Sequence, residues 1–203
     1  CKDNKKQLWQ YVEECEGPTI WQHLKFIDQA MTDAVKRGLE KEGDVPGPFK
    51  YPKRAREMYE KALSKRASLV FTNKIFAYAL AVSEENASMG QVVTAPTCGA
   101  SGVVPGVLRA MKEEYELVEK HILRGLAIAG LVGNLVKYNA TISGAEAGCQ
   151  AEVGTACSMA AAMATYFMGG SIDQIEYAAE SAMEHHLGMT CDPVGGYVII
   201  PCI

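Results

Sequence analysis

Three of the seven cysteines stand where a thiolate could do chemistry. Cys149 follows Gly144-Ala-Glu-Ala-Gly148 at the predicted start of a helix, Cys191 precedes Asp192-Pro193, and Cys202 follows Pro201. A thiolate at a helix N-terminus is favoured by the helix dipole and by free backbone N–H groups. An anionic iron–sulfur cluster, which needs thiolate ligands and hydrogen bonds to sulfur, gains in the same way. Each thiol taken alone equally suits a small buried hydrophobe. No C-x-x-C pair occurs, so neither a zinc ribbon nor a thioredoxin-like motif is supported. Cys157, two turns beyond Cys149, would be displaced by about 12 Å along the helix and rotated by roughly 80°. It is expected in the core. Cys1 and Cys15 lie in a polar N-terminal segment and are weak candidates.

A second constellation is Pro96-Thr97-Cys98-Gly99-Ala100-Ser101-Gly102-Val103-Val104-Pro105-Gly106. A loop of small residues entering a helix offers N–H groups and hydroxyls to a carboxylate or phosphate. It lacks the GK[ST] ending of a Walker loop and does not match GxGxxG; a tight packing loop is the other reading. A third constellation, Asn139-Ala140-Thr141-Ile142-Ser143-Gly144, leads into Cys149 and could orient a polar substrate, or simply cap helices. His185 and His186 suit the C-terminal end of a helix dipole, with a place near Cys191 as the alternative. Glu146 and Glu152 flank Cys149 as possible hydrogen-bond acceptors.

These residues need elements to carry them. Apolar positions Ile20, Leu24, Ile27, Met31, Val35 and Leu39 predict a helix from a Thr19 cap to about Glu42, ended by Gly43. Asp44 to Pro48 reads as a turn. A second helical region runs from about Lys53 to Ala87, interrupted near Thr72-Asn73, with Ile75, Phe76, Ala79, Leu80 and Val82 buried. Lys53-Arg54 and Lys65-Arg66 read as a solvated helical face. Gln91 to Ala95 reads as extended. Helices are expected over Val103 to Tyr115, Val118 to Val136 and Glu146 to Met168, the last two with glycines and alanines that permit close backbone approach. A Ser171/Gln174 capping box opens a last helix ending near Leu187, with Gly188 as its stop. The loop from Met189 to Ile203 follows, extended over Tyr197 to Ile200. The reading is all-α: a single helical domain over 1–203 with glycine-rich loops at its active site.

With 203 residues and 48% hydrophobic content, the chain can build one core. A formal charge of −4 offers no basic field for nucleic acid or an anionic membrane. No apolar run is long enough to span a bilayer, and the start resembles no signal peptide. A cytoplasmic protein is expected. Seven cysteines without a secretory signature point to metal or redox chemistry instead of disulfides. The missing initiator Met and the bare end at Ile203 suggest a fragment truncated at both ends.

Three stretches together resemble the bacterial iron–sulfur-dependent L-serine dehydratases: Thr94-Ala-Pro-Thr-Cys-Gly-Ala-Ser-Gly-Val-Val-Pro-Gly106, Asn139-Ala-Thr-Ile-Ser-Gly-Ala-Glu-Ala-Gly-Cys-Gln-Ala-Glu-Val-Gly154, and His186-Leu-Gly-Met-Thr-Cys-Asp-Pro-Val-Gly-Gly196 with Ile200-Pro-Cys202. The likeness continues more loosely through Gly38 to Gly43, Pro46-Gly47 and Lys53-Arg54-Ala55. It implies a helical catalytic (alpha-type) domain and a 4Fe-4S cluster held by Cys149, Cys191 and Cys202, with one iron left open and no pyridoxal phosphate. Cys98 falls in the family's substrate loop and is not counted as a ligand.

The resemblance also implies an open iron acting as Lewis acid while water and ammonia leave L-serine to give pyruvate. Thr97, Gly99, Ser101, Gly102, Asn139, Ser143 and Gly144 are the expected substrate-binding residues. The family's candidate base lies in a Ser-Ser-His-Thr-type motif absent here, so the base is expected in a second, beta-type domain or subunit. A homo-oligomer is expected, with no nucleic-acid or membrane partner. Three alternatives stay open: a related iron–sulfur lyase acting on cysteine, a pyridoxal-phosphate lyase with Lys137 as its nearest lysine, and a non-catalytic helical domain.

Overall fold

The computed structural model describes residues 1, 6–64, 69–200, 202 and 203; Lys65-Arg66 and Pro201 lie outside them. The described residues form nine α-helices and one two-residue hairpin, so the all-α expectation is met.

The first helix, α1 (Leu8–Glu16), was not anticipated, because its charged residues mask a short apolar stripe. Trp9 on that stripe meets Trp21 of α2 (Ile20–Glu40), with ring centroids 6.2 Å apart. The face of α2 carrying Leu24, Met31, Ala34, Val35 and Gly38 is buried. Helix α2 ends two residues earlier than expected, where Lys41 turns to extended backbone, and Thr19 makes no side-chain cap. The expected turn after it is more regular than its composition suggested: β1 (Asp44–Val45) pairs antiparallel with β2 (Tyr51–Pro52).

The expected break near Thr72-Asn73 falls earlier, between α3 (Ala55–Ala62) and α4 (Val70–Ala87). Phe76 is exposed, contrary to expectation, and Ile75, Ala79 and Leu80 are only partly covered. The buried stripe of α4 is Ala77, Tyr78, Ala81 and Val82, continued by Glu84 and Glu85. Small residues there let backbones close in. An ideal Cβ on Gly38 would lie 2.5 Å from the carbonyl carbon of Ala81, and one on Gly106 would lie 2.8 Å from the Ala79 nitrogen. The two buried glutamates are answered by polar groups. Glu84 accepts from the Arg54 nitrogen at 2.6 Å and from the Ala55 nitrogen at 3.2 Å, capping α3, while Glu85 receives Arg37 at 2.8 Å and Lys41.

Gln91 to Ala95 forms no strand. Helix α5 spans Val103–Tyr115 as predicted, followed by α6 (Glu119–Asn139). The helix expected from Glu146 is split into a single turn, α7 (Gly144–Ala147), and α8 (Cys149–Phe167), separated by Gly148. Helix α8 is central, packing on α5, α6 and α9. The glycines of α6 receive side chains instead of backbone: Gly125 faces the Phe167 ring and Gly133 faces Met159, whereas Gly130 looks into open space. Helix α9 (Ile172–Glu184) begins with the anticipated Ser171/Gln174 capping box and ends three residues earlier than expected. After it the chain turns, without the predicted extended run over Tyr197 to Ile200. Val194–Gly196 is one 3-10 turn, and 198–200 turn again. Among the described residues no helix is long and apolar enough to cross a membrane.

Candidate active site

The site forms where the chain after α9 folds back over the N-terminus of α8. Gln150 donates its backbone N–H to the Met189 carbonyl at 3.0 Å, and its side-chain Oε1 accepts from the Gly188 nitrogen at 2.9 Å. Gly148, the N-cap of α8, has φ +80°, a conformation costly for any other residue. Its missing side chain also leaves room for Met189 and Thr190. These contacts set Cys191 beside Cys149, the first residue of α8.

The thiols report this proximity. Burial pushes the Cys149 thiol above its ordinary range, and the charge and hydrogen bonding of Cys191, then the charges of Cys202 and Glu152, push it further. Burial likewise raises the Cys202 thiol, followed by the charges of Cys191 and Glu152. Three thiols from two segments thus share one neighbourhood with Glu152. Cys149 and Cys202 are half-buried and Cys191 is exposed. Among the described residues no three Cys, His, Asp or Glu groups stand close enough to hold a single metal ion.

A loose hairpin contact supports the segment carrying Cys202. Phe49 meets Tyr197 edge-on with centroids 5.5 Å apart, an ideal Cβ on Gly47 would lie 3.0 Å from the Ile199 Cδ1, and the Tyr51 hydroxyl donates to the Ile203 carbonyl at 3.3 Å.

Glu152 organises the small-residue loops. The Thr97 hydroxyl donates to its Oε1, and its two oxygens lie against the α-carbons of Gly99 and Gly144. Thr97, Gly99 and Gly144 are therefore brought together around one carboxylate. Ser101 is 1% exposed and its hydroxyl has no hydrogen-bond partner. Gly102 instead faces the Ala79 carbonyl of α4. Asn139 donates its side-chain amide to the Leu135 carbonyl at 2.8 Å, within its own helix. The Ser143 hydroxyl caps α7 by accepting from the Glu146 nitrogen at 3.3 Å, and Thr141 donates to Glu146 at 2.6 Å. His185 and His186 each place Nδ1 2.6 Å from a carbonyl of the last turn of α9. Cys98 is exposed and Cys157 half-buried, and burial alone raises the Cys157 thiol.

Sequence reasoning gave Glu152 only a flanking role. The available signal was its spacing: three residues after Cys149 it falls on the same face of the first turn of α8. Its partners Thr97 and Gly99 lie more than fifty residues away, and no local pattern joins them.

Fold and site together define an all-helical domain whose thiols and small-residue loops converge at the start of one helix. The family described as serine dehydratase alpha chain matches residues 3–203, and the chain belongs to that family. It is 44% identical, over its whole length, to an L-serine dehydratase of Haemophilus influenzae, covering 47% of that protein. It is 51% identical over 87% of its length to L-serine dehydratase TdcG of Escherichia coli, covering 40% of it. An L-serine dehydratase of Streptomyces coelicolor is 50% identical over 91% of this chain, which covers 41% of that relative. The chain spans less than half the length of these relatives.

Proposed function

We propose that the protein of which this domain is part is an L-serine dehydratase, converting L-serine to pyruvate and ammonia, with a 4Fe-4S cluster held by Cys149, Cys191 and Cys202. The observation that carries this reading is that Cys191 and Cys202 both act on the Cys149 thiol at the N-terminus of α8, in a member of this family.

The donor set suits such a cluster. Thiolates are its ordinary ligands, and each binds a different iron, so the sulfurs sit wider apart than around one ion. The α8 N-terminus also offers N–H groups and a favourable dipole to the negative charge. When bound, a cluster with one iron free of protein ligands supplies a Lewis acid toward the hydroxyl and carboxylate of serine.

The chain's own residues bind and orient. Thr97, Gly99, Ser101 and Gly102 form the small-residue loop before α5, which would receive the substrate carboxylate. The unpartnered buried hydroxyl of Ser101 supports a polar ligand there, since a buried hydroxyl without a partner costs free energy. Asn139, Ser143 and Gly144 border the approach to Cys149 and hold its turn in shape, so that the reacting groups meet in register. The base that takes the α-proton belongs to a second, beta-type domain or subunit. That the relatives are more than twice as long supports such a domain. The domain is read as cytoplasmic and as part of a homo-oligomer.

The test is iron and sulfide content together with serine-dependent pyruvate formation, on the complete protein without oxygen. About four irons per chain are expected in the wild type, with almost none in the Cys149→Ser, Cys191→Ser, Cys202→Ser triple variant. Equal iron in both, or iron without pyruvate formation, overturns the reading.

A further inference from the structure

Glu152 has no cationic partner among the described side chains. Two other carboxylates at helix contacts have cationic partners: Glu85 has Arg37 and Lys41, and Glu113 has Lys74 and Arg109; Glu84 is answered by the backbone N–H groups that open α3. Among the described residues, Glu152 has the Thr97 hydroxyl as its side-chain partner and no Lys, Arg or His in an ion pair. The N-terminus of α8 answers part of its charge. Its neighbours work the other way, because Cys149 and Cys202 both lie within reach of its field and become anionic when they act as ligands. A half-buried carboxylate among anionic groups is unfavourable until a cation joins it.

The geometry favours a small cation brought by a ligand. Thr97 fixes one carboxylate oxygen, and Gly99 and Gly144 border the group with bare α-carbons instead of side chains. Ser101, two residues beyond Gly99 on the same loop, has a buried hydroxyl without a partner, which suits the opposite charge, a carboxylate. A free hydroxyl on the loop that also brings Thr97 and Gly99 to a carboxylate without a cation matches the two charged ends of an α-amino acid.

We infer that Glu152 contacts the α-ammonium of the substrate and thereby makes the site select an amino acid over the corresponding hydroxy acid. This rests on the dehydratase reading above and adds the residue that reads the amino group. A side chain that merely braced the 96–102 loop against the α7 turn would not discriminate between the two acids.

The experiment compares L-serine with L-glycerate, in which a hydroxyl replaces the ammonium, by calorimetry on the complete iron-loaded protein without oxygen. Glu152→Gln keeps the size of the side chain and an acceptor for Thr97 while removing the charge. Its affinity for L-serine is expected to fall roughly ten- to hundredfold, the size of a lost charge-assisted hydrogen bond. Its affinity for L-glycerate is expected to stay within about threefold or to improve, and KM for L-serine to rise by more than kcat falls. Equal losses for both acids, or none for serine, overturn the inference. Should the Gln variant lose its iron, Glu152→Asp decides. Retention of the wild-type preference for serine supports the contact, and loss of that preference with the charge still present overturns it. A wild-type protein that holds no iron and makes no pyruvate sinks the dehydratase reading itself, whereas a competent wild type with an unselective Gln effect sinks only the ammonium contact.

Discussion

The α-carbon of Gly148 stands beneath the carbonyl of Met189, so that an ideal Cβ would lie 2.6 Å from that oxygen. With φ +80° and ψ 176°, this glycine is also in backbone territory that side chains rarely enter. It lets the loop after α9 close on α8 and so sets Cys191 against Cys149. Gly148→Ala is expected to cost about 1–3 kcal/mol, the usual range for overpacking, and to push the loop off the helix. Iron content after anaerobic reconstitution should fall while far-ultraviolet helicity is retained. Wild-type iron uptake in this variant would show that the closure does not depend on Gly148.

Two helical glycines should respond oppositely to the same substitution. A Cβ at Gly38 meets backbone atoms of Ala81, including its Cα at 2.9 Å, and backbone has no rotamer with which to yield. Gly38→Ala is expected to destabilise by about 1–3 kcal/mol. Gly130, exposed on α6, has nothing within 4 Å. There alanine should stabilise by about 0.5–1 kcal/mol through helix propensity. Thermal melts of the two variants beside wild type check both signs.

This contrast also marks what the sequence could reveal. Helix α5 and the capping box of α9 were legible because their signals are local: Pro105 in a first turn, and Ser171 three residues before Gln174. The three thiols and the small-residue loops were legible through resemblance. The partners of Gly38, Gly102 and Glu152 were not, since each lies on another helix or loop and no sequence period encodes it. Phe76 misled because its apolar side chain sits one position off the buried stripe that Ala77, Ala81 and Val82 define. Helix α1 escaped because Trp9 and Val12, which pack on the core, are only half-buried among charged neighbours.

The adjacent glutamates of α4 should give stability opposite dependences on pH. For Glu84, burial raises the carboxyl above its ordinary 4.5, although the backbone N–H groups of Arg54 and Ala55 pull it back. Its folded form therefore holds a proton more readily than the unfolded chain. The associated stability is fully present below 4.5 and is lost as pH rises through the folded value. For Glu85, burial also pushes upward, but hydrogen bonds and charge from Lys41 and Arg37 outweigh it and hold the carboxyl below 4.5. Its stability is present above 4.5 and is lost as pH falls through the folded value. Urea unfolding at two pH values tests the pair. Between pH 4 and pH 7, Glu84→Gln should gain on wild type and Glu85→Gln should lose. Parallel trends in the two variants would contradict the assignment.

The hairpin contact to the last residues makes a separate prediction about Cys202. Phe49 and Tyr197 meet edge-on at 88°, a geometry worth about 0.5–1.5 kcal/mol beyond the area it buries. Removing the ring should free the 197–203 segment without disturbing the helical core, to which Phe49 contributes nothing. In the iron-free chain, Phe49→Ala should therefore speed alkylation of the half-buried Cys202 several-fold, on the order of the contact's Boltzmann weight. The rate at Cys157, whose thiol burial alone raises, should not change. Peptide mapping after a timed pulse of iodoacetamide resolves the two sites. Acceleration at both cysteines would mean that the substitution loosens the whole domain, and acceleration at neither would mean that the hairpin does not hold the segment bearing Cys202.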